Sequence, residues 1–346
     1  MATARRVIDG DGHIWESEQE VMGFLEGKYR GIKLGSVFHP WPSLDGRYRI
    51  PAGGLAAPQT SAKIWGEFLD ATGIEKAVVY PTGGLAHGLI QDRDWAVALS
   101  RAYNNWLSET YLKADSRIKS LALLPVQDVG EAVRELRRGV EQLGVVGGLL
   151  PAVTYNRKPY GHPDFLPIIQ EAERLDVPLA VHAGPQSHLG LEVFEKHIEA
   201  HVLTHPVPIM GHLISMVYNG VFEKCPKARV VFLEAGAGWI PFIMERMDYE
   251  YKARPGAAPD LKRLPSEAIR GGNVYVSCEN EEKILPVVAG YLGEDQMIFA
   301  TDFPHELAYE GYIKEAAEFA ERSDLSEPLK KKILADNSIR LYNLDS

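Results

Sequence analysis

Eight short apolar runs constrain this chain more than any other feature. They are Val7–Asp9, Lys76–Tyr80, Ser120–Leu124, Val145–Leu150, Val177–Val181, Arg229–Leu233, Val274–Ser277 and Met297–Ala300. Runs of this length read as buried strands. Between them lie segments with apolar residues at helical spacing: Trp95–Leu112, Val129–Leu143, Phe165–Leu175, Ile240–Tyr251 and Ile284–Leu292. Asp128 is placed to cap the second of these. Strands alternating with helices predict an α/β fold with a parallel sheet. Eight such units over 346 residues predict a distorted (β/α)8 TIM barrel. A doubly wound open sheet is the competing architecture, but no Gly-x-Gly-x-x-Gly follows the first run.

The residues just beyond these runs carry the chemistry. Asp11 and His13 follow the first run, His182 the fifth, Glu234 the sixth and Asp302 the eighth. Side chains two apart in an extended segment point to one side, so Asp11 and His13 can reach one ion. Any of these residues alone reads as an ordinary loop, cap or hydrogen-bonding residue. Together, at one end of a barrel, Asp11, His13, His182 and Asp302 form a donor set of imidazoles and carboxylates. Such a set suits one divalent ion, with zinc expected and manganese the alternative.

Bulk properties exclude some classes. The net charge of -10, without a Lys/Arg-rich run, argues against nucleic acid as a partner. Hydrophobic content of 45% is enough for a large core. Cys225 and Cys278 are too few for a disulfide framework and fit a reducing compartment. No apolar leader or membrane-length segment is apparent, so a soluble cytoplasmic protein is expected. The partner is expected to be a small molecule, with a homodimer as the default assembly. One domain over 1–346 is expected, with an insertion at 28–60 and capping helices at 325–344. A second excursion, Pro185–Pro206, follows the fifth run; both excursions are placed to wall a substrate pocket.

The chain resembles the amidohydrolase-2 family, the group that includes aminocarboxymuconate-semialdehyde decarboxylase. The resemblance rests on Ile8-Asp9-Gly10-Asp11-Gly12-His13-Ile14-Trp15-Glu16, on Gly220–Pro226 and on Val231–Pro241 continuing to Glu245–Asp248. It is completed by Thr301-Asp302-Phe303-Pro304-His305, Asn337 and Leu341-Tyr342. It implies a distorted barrel and a mononuclear metal, with Asp11, His13, His182 and Asp302 at the ligand positions. Two departures matter. Asp11 stands where many members have His, and Glu234 stands where the family's decarboxylases carry a His.

Because Glu234 cannot act as a cationic proton donor, a metal-dependent hydrolase is the first expectation. Asp302 and Glu234 are then the catalytic residues, acting with an activated water on an ester, lactone, amide or diketone. The alternatives are a metal-dependent, non-oxidative decarboxylase of an aromatic or unsaturated acid, and a non-catalytic binding barrel. Glu234 itself is open to three roles, as base, as ligand or as a structural partner of Arg246. His197, His201 and His205, four apart, would share a helix face, and His201 and His205 are candidates for substrate contact. Trp15, Trp239 and Phe303 are placed to line the pocket. Glu16, Glu279 and His305 are placed to orient the ligands, and His212 is expected to be structural.

Overall fold

The computed structural model describes residues 6–32, 60–184, 189–305 and 309–345. Among them nine strands form two parallel sheets. The first holds β1 (Ile8–Ile14), β2 (Lys76–Pro81) and β3 (Ile118–Ser120) in sequence order. The second holds β4 (Ala122–Leu123), β5 (Gly148–Pro151), β6 (Leu179–His182), β7 (Val230–Leu233), β8 (Val274–Cys278) and β9 (Met297–Phe299), again in order. All eight apolar runs are strands, the third broken at Leu121. The break is bridged, because the carbonyl of Ser120 accepts the Val146 N–H at 2.9 Å.

The first strand is joined, from within, to the turn beyond the end of the last. Asp302 N–H donates to the Asp11 carbonyl at 2.9 Å, and His13 N–H to the Phe303 carbonyl at 2.7 Å. With parallel strands in sequence order, these links give the architecture of a distorted (β/α)8 barrel. They also bring the ends of β1 and β9 to one place.

The Gly-rich opening of β1 follows from crowding. A Cβ on Gly10 would stand 2.7 Å from the Ile298 side chain and 3.0 Å from the Phe299 carbonyl. On Gly12 it would stand 2.3 Å from the Trp65 ring, whose Nε1–H donates to the His13 carbonyl at 3.0 Å. The register of β1 against β2 also shifts between Asp9 and Gly12. Such bulges re-aim side chains beside active sites.

The helices begin where capping chemistry permits. Ser61 caps Ala62–Thr72, Asp92 caps Arg93–Leu107 and Asp128 caps Val129–Arg138, each accepting a backbone N–H in the first turn. Of the expected insertion at 28–60, residues 33–59 lie outside the described residues, as do residues 185–188 of the second excursion. The remainder of that excursion includes the helix His197–Thr204. The C-terminal stretch is helical over Glu327–Lys331 and Asn337–Tyr342. It is tied to the barrel by the Tyr342 and Tyr80 hydroxyls at 2.8 Å and by Asn337. No described helix is long and apolar enough to cross a membrane.

Buried Asn337 donates through Nδ2 to the carbonyls of Met297 (2.7 Å) and Glu294 (2.9 Å). Asn337→Ala leaves the buried Met297 carbonyl without its donor. It is expected to lower stability by about 1–3 kcal/mol in urea unfolding.

Candidate metal centre and active site

The strand ends gather the expected ligands. His182 Nε2 lies 3.2 Å from Asp11 Oδ1, and His13 Nε2 lies 3.8 Å from that same oxygen and 3.4 Å from Asp302 Oδ1. Asp11, His13 and His182 are buried. The ligand atoms of Asp11, His13 and His182 fall within one metal-binding radius, as do those of His13, Glu234, Asp302 and His305. His13 belongs to both groups.

Both imidazoles present Nε2 because Nδ1 is used elsewhere. His13 Nδ1 lies 3.3 Å from the Pro81 carbonyl and His182 Nδ1 2.8 Å from the Ala183 carbonyl. This arrangement fixes the tautomer of a metal-binding histidine. His13 Nε2 is buried and makes no hydrogen bond. An orphaned buried imidazole nitrogen facing two carboxylates is what a cation-binding position looks like without its cation. The residues therefore fit a single divalent ion.

A carboxylate that sequence reasoning missed assembles this geometry. Asp9 is fully buried and accepts from Thr301 Oγ1 (2.6 Å), Thr301 N (3.1 Å) and Asp11 N (3.2 Å). It thereby ties β1 to the turn carrying Asp302. Burial pushes its carboxyl up to about 7, against the effect of the Thr301 hydrogen bond. The signal available in the sequence was the second carboxylate of Asp9-Gly10-Asp11.

Asp302 and Glu234 share a backbone peculiarity, with φ of 54° and 60°. Non-glycine residues seldom adopt this conformation, and it concentrates at functional sites. Glu234 is braced by Ser277 Oγ, which accepts its N–H at 3.1 Å. Its Oε2 lies 3.5 Å from His182 Nδ1 and its Oε1 3.9 Å from His305 Nδ1. Burial pushes Glu234 up to about 8, with His182 opposing and Asp302 reinforcing the shift. Burial likewise holds the His13 imidazole well below its ordinary range. Burial opposes a charge on His182 too, but Asp11, by charge and hydrogen bond, outweighs it and raises that imidazole to about 9. Arg246, the structural partner considered for Glu234, pairs instead with Glu250 at 2.7 Å.

His305 sits where a ligand-orienting residue should. Its Nδ1 is 2.9 Å from Asp302 Oδ1, its Nε2 is 2.9 Å from Thr82 Oγ1, and its ring lies 4.0 Å from that of His13. Trp15 meets the His305 ring edge-on, with centroids 5.8 Å apart. His205 pairs edge-on with His201 at 5.1 Å, and burial, with the fields of His201, His182 and His305, pushes it down to about 3. Glu16 acts at one remove, accepting the N–H groups of Gly83 (2.9 Å) and Gly84 (2.8 Å) beside Thr82. Burial raises it to about 7. His212 is structural, as expected, accepting the Tyr160 N–H and contacting the Ala152 carbonyl.

Two expected residues, Phe303 and Glu279, are placed elsewhere, and Trp239 is held by its own loop. Phe303 is 2% exposed and stacks on Phe68 at 4.0 Å, with Trp65 and Tyr312 edge-on. It anchors the turn from the core instead of lining the pocket, because Asp302 and Phe303 point in different directions from the turn. Trp239 braces its own loop through Nε1–H to the Gly236 carbonyl (2.8 Å). Glu279 is exposed, and its backbone N–H donates to the Glu282 carboxylate.

The amidohydrolase family model matches residues 8–344, and the chain belongs to that family. It is similar to γ-resorcylate decarboxylase of Rhodococcus jostii (strain RHA1), 28% identical over 74% of this chain and 80% of that protein. It is also similar to 2-amino-3-carboxymuconate-6-semialdehyde decarboxylase of Dictyostelium discoideum, 26% identical over 72% of this chain and 68% of that protein. Among solved structures it resembles the dihydroxybenzoic acid decarboxylase of Polaromonas sp. JS666, which holds manganese and the inhibitor 2-nitroresorcinol. That likeness has a TM-score of 0.74 at 23% identity and covers 99% of this chain and 98% of that one. The chain is thus an enzyme, a metal-dependent hydrolase or carboxy-lyase of the amidohydrolase superfamily, and its relatives are decarboxylases.

The shifted groups set a pH dependence. In the folded chain Asp9 and Glu16 keep protons to about 7, Glu234 to about 8 and His182 to about 9, each above its ordinary value. His13 and His205, pushed down, are neutral in both states above about pH 6.5. From there to about pH 9 these site groups bind more protons folded than unfolded, so metal-free stability falls as pH rises. The expected slope is at most ~1.4 kcal/mol per pH unit for each linked proton, measured by urea unfolding in chelator. Saturating manganese, which binds deprotonated ligands, should flatten or reverse that slope.

Proposed function

We propose that this protein is a metal-dependent, non-oxidative decarboxylase of a small aromatic or unsaturated carboxylic acid. The observation that carries this reading is the Asp302–His305–Glu234 cluster beside the imidazole-and-carboxylate centre, in a chain whose curated relatives are decarboxylases. The decarboxylases therefore outweigh the hydrolase expected first.

The objection drawn from Glu234 also weakens. A carboxylate cannot replace a cationic donor, but a buried carboxyl held near 8 keeps its proton at neutral pH and donates as a neutral acid. Asp11, His13, His182 and Asp302 would hold the ion. The two carboxylates among these, Asp11 and Asp302, favour a hard cation, and we favour manganese over zinc. When bound, the ion supplies charge stabilisation for the substrate's carboxylate and a neighbouring oxygen.

The chain's own residues then manage one proton. Asp302, 2.9 Å from His305 Nδ1, is placed to deliver it to the ring carbon that bears the carboxylate. The bond to the carboxylate breaks, CO₂ leaves, and the new C–H bond takes the proton. Glu234 and His305 return a proton to Asp302 from solvent. Trp15 and His205 are proposed to contact the substrate ring.

Manganese-loaded protein should release CO₂ from hydroxybenzoates such as 2,6-dihydroxybenzoate, and in D₂O should place one deuterium at the vacated carbon. Asp302→Asn should lower that rate on the order of 10²–10⁴-fold. Absence of CO₂ across a panel of hydroxybenzoates and muconates, with ester or lactone hydrolysis instead, would return the hydrolase reading.

A further inference from the structure

We propose that Glu282 is a positioning residue for Glu234, acting through the loop that follows β7. The role assigned to Glu234 rests on the decarboxylase reading above, whereas the clamp itself rests on geometry. Glu282 lies in the neighbouring loop, after β8. Its Oε2 accepts the N–H groups of Ala237 (2.9 Å) and Gly238 (2.8 Å), and its Oε1 accepts those of Glu279 (2.9 Å) and Ala237 (3.1 Å). One carboxylate thus gathers three backbone donors from two loops. Hydrogen bonds to a charged acceptor are stronger than neutral ones.

The loop is shaped to receive it. Gly236 has φ of 60°, and a Cβ there would stand 3.1 Å from Glu282 Oε2. From the far side, Arg322 donates to the carbonyls of Asn280 (2.8 Å) and Glu282 (2.7 Å). The clamp therefore runs from the helix Tyr309–Glu321, which Arg322 follows, through Glu282 to Ala237 and Gly238. Only Ala235 separates Glu234 from Gly236, and Glu234 occupies the left-handed region without a glycine's freedom. Its hold on that conformation comes from Ser277 on one side and from this clamped loop on the other. Slack in the loop would let the Glu234 carboxylate drift from its place 3.5 Å from His182.

Glu282→Gln keeps the shape and removes the charge, and it is the variant of choice should Glu282→Ala fail to fold. In hydrogen exchange by NMR, Glu282→Gln should speed exchange at Ala237 and Gly238 and also at Glu234, leaving β7 and β8 unchanged. For CO₂ release from 2,6-dihydroxybenzoate it should lower kcat on the order of ten-fold or more, with KM changed less than about two-fold. In a Glu234→Gln background the same substitution should cost less than about two-fold, as expected of residues that act as one unit. Faster exchange confined to Ala237 and Gly238, or an equal kcat loss in both backgrounds, would overturn the proposal. Should the unaltered protein release no CO₂, that result refutes the proposed reaction, and the exchange at Glu234 alone decides the clamp.

Discussion

Two backbone hydrogen bonds hold the centre together. His13 N–H to the Phe303 carbonyl and Asp302 N–H to the Asp11 carbonyl join the first strand to the turn after the last. They put three of the ligand-bearing residues on one short piece of shared backbone. Each such bond contributes only about 1 kcal/mol net, yet breaking either leaves a donor and an acceptor stranded beside the site. Asp9 makes the junction rigid by accepting from both Thr301 and Asp11. Gly10 and Gly12 let the neighbouring chain and the Trp65 ring close on it. The geometry of the candidate metal centre thus follows from the joining of the first strand to the turn after the last.

Among the described residues, five non-glycine ones have positive φ: Arg157, Asp176, Glu234, Asp302 and Asn343. Asp176 and Asn343 end helices, where the left-handed conformation is routine. Glu234 and Asp302 end no helix. They follow β7 and β9, and their carboxylates converge near His305. A conformation that costs about 1–3 kcal/mol at each persists only where its surroundings enforce it. Here Ser277 fixes the Glu234 N–H, and Thr301 Oγ1 accepts the Phe303 N–H at 3.1 Å. The strain falls on the two residues whose carboxyls must point off the strand direction into the mouth of the barrel.

The strands and the candidate ion-binding residues are legible because both leave local marks. Apolar runs show buried strands directly, and Asp11, His13, His182 and Asp302 each stand just past one. What was not legible depends on distant neighbours. Asp9 reads as part of the first strand until Thr301, nearly the whole chain away, is seen to donate to it. Glu282 reads as one acid in a charged loop, and only the folded chain brings it to Ala237 and Gly238. Phe303 reads as a pocket residue because it is an aromatic just past the eighth apolar run. The direction of its ring is set by Phe68 and Trp65, which sequence proximity does not reveal.

Glu234 changes the charge logic of the site more than its appearance. An imidazole at that position would be cationic when it carries a proton and neutral when it does not. A carboxyl is neutral with its proton and anionic without it. Its neighbours already include Asp11 and Asp302, so a third full negative charge would be costly in a buried site. The acid substrate proposed here brings a further carboxylate. A bound divalent ion and a protonated Glu234 would both offset that anion beside Asp302, and burial raises Glu234 to about 8. A carboxyl in the histidine's place thus keeps a proton-bearing group within the Asp302–His305 cluster, and partial burial is what holds that proton.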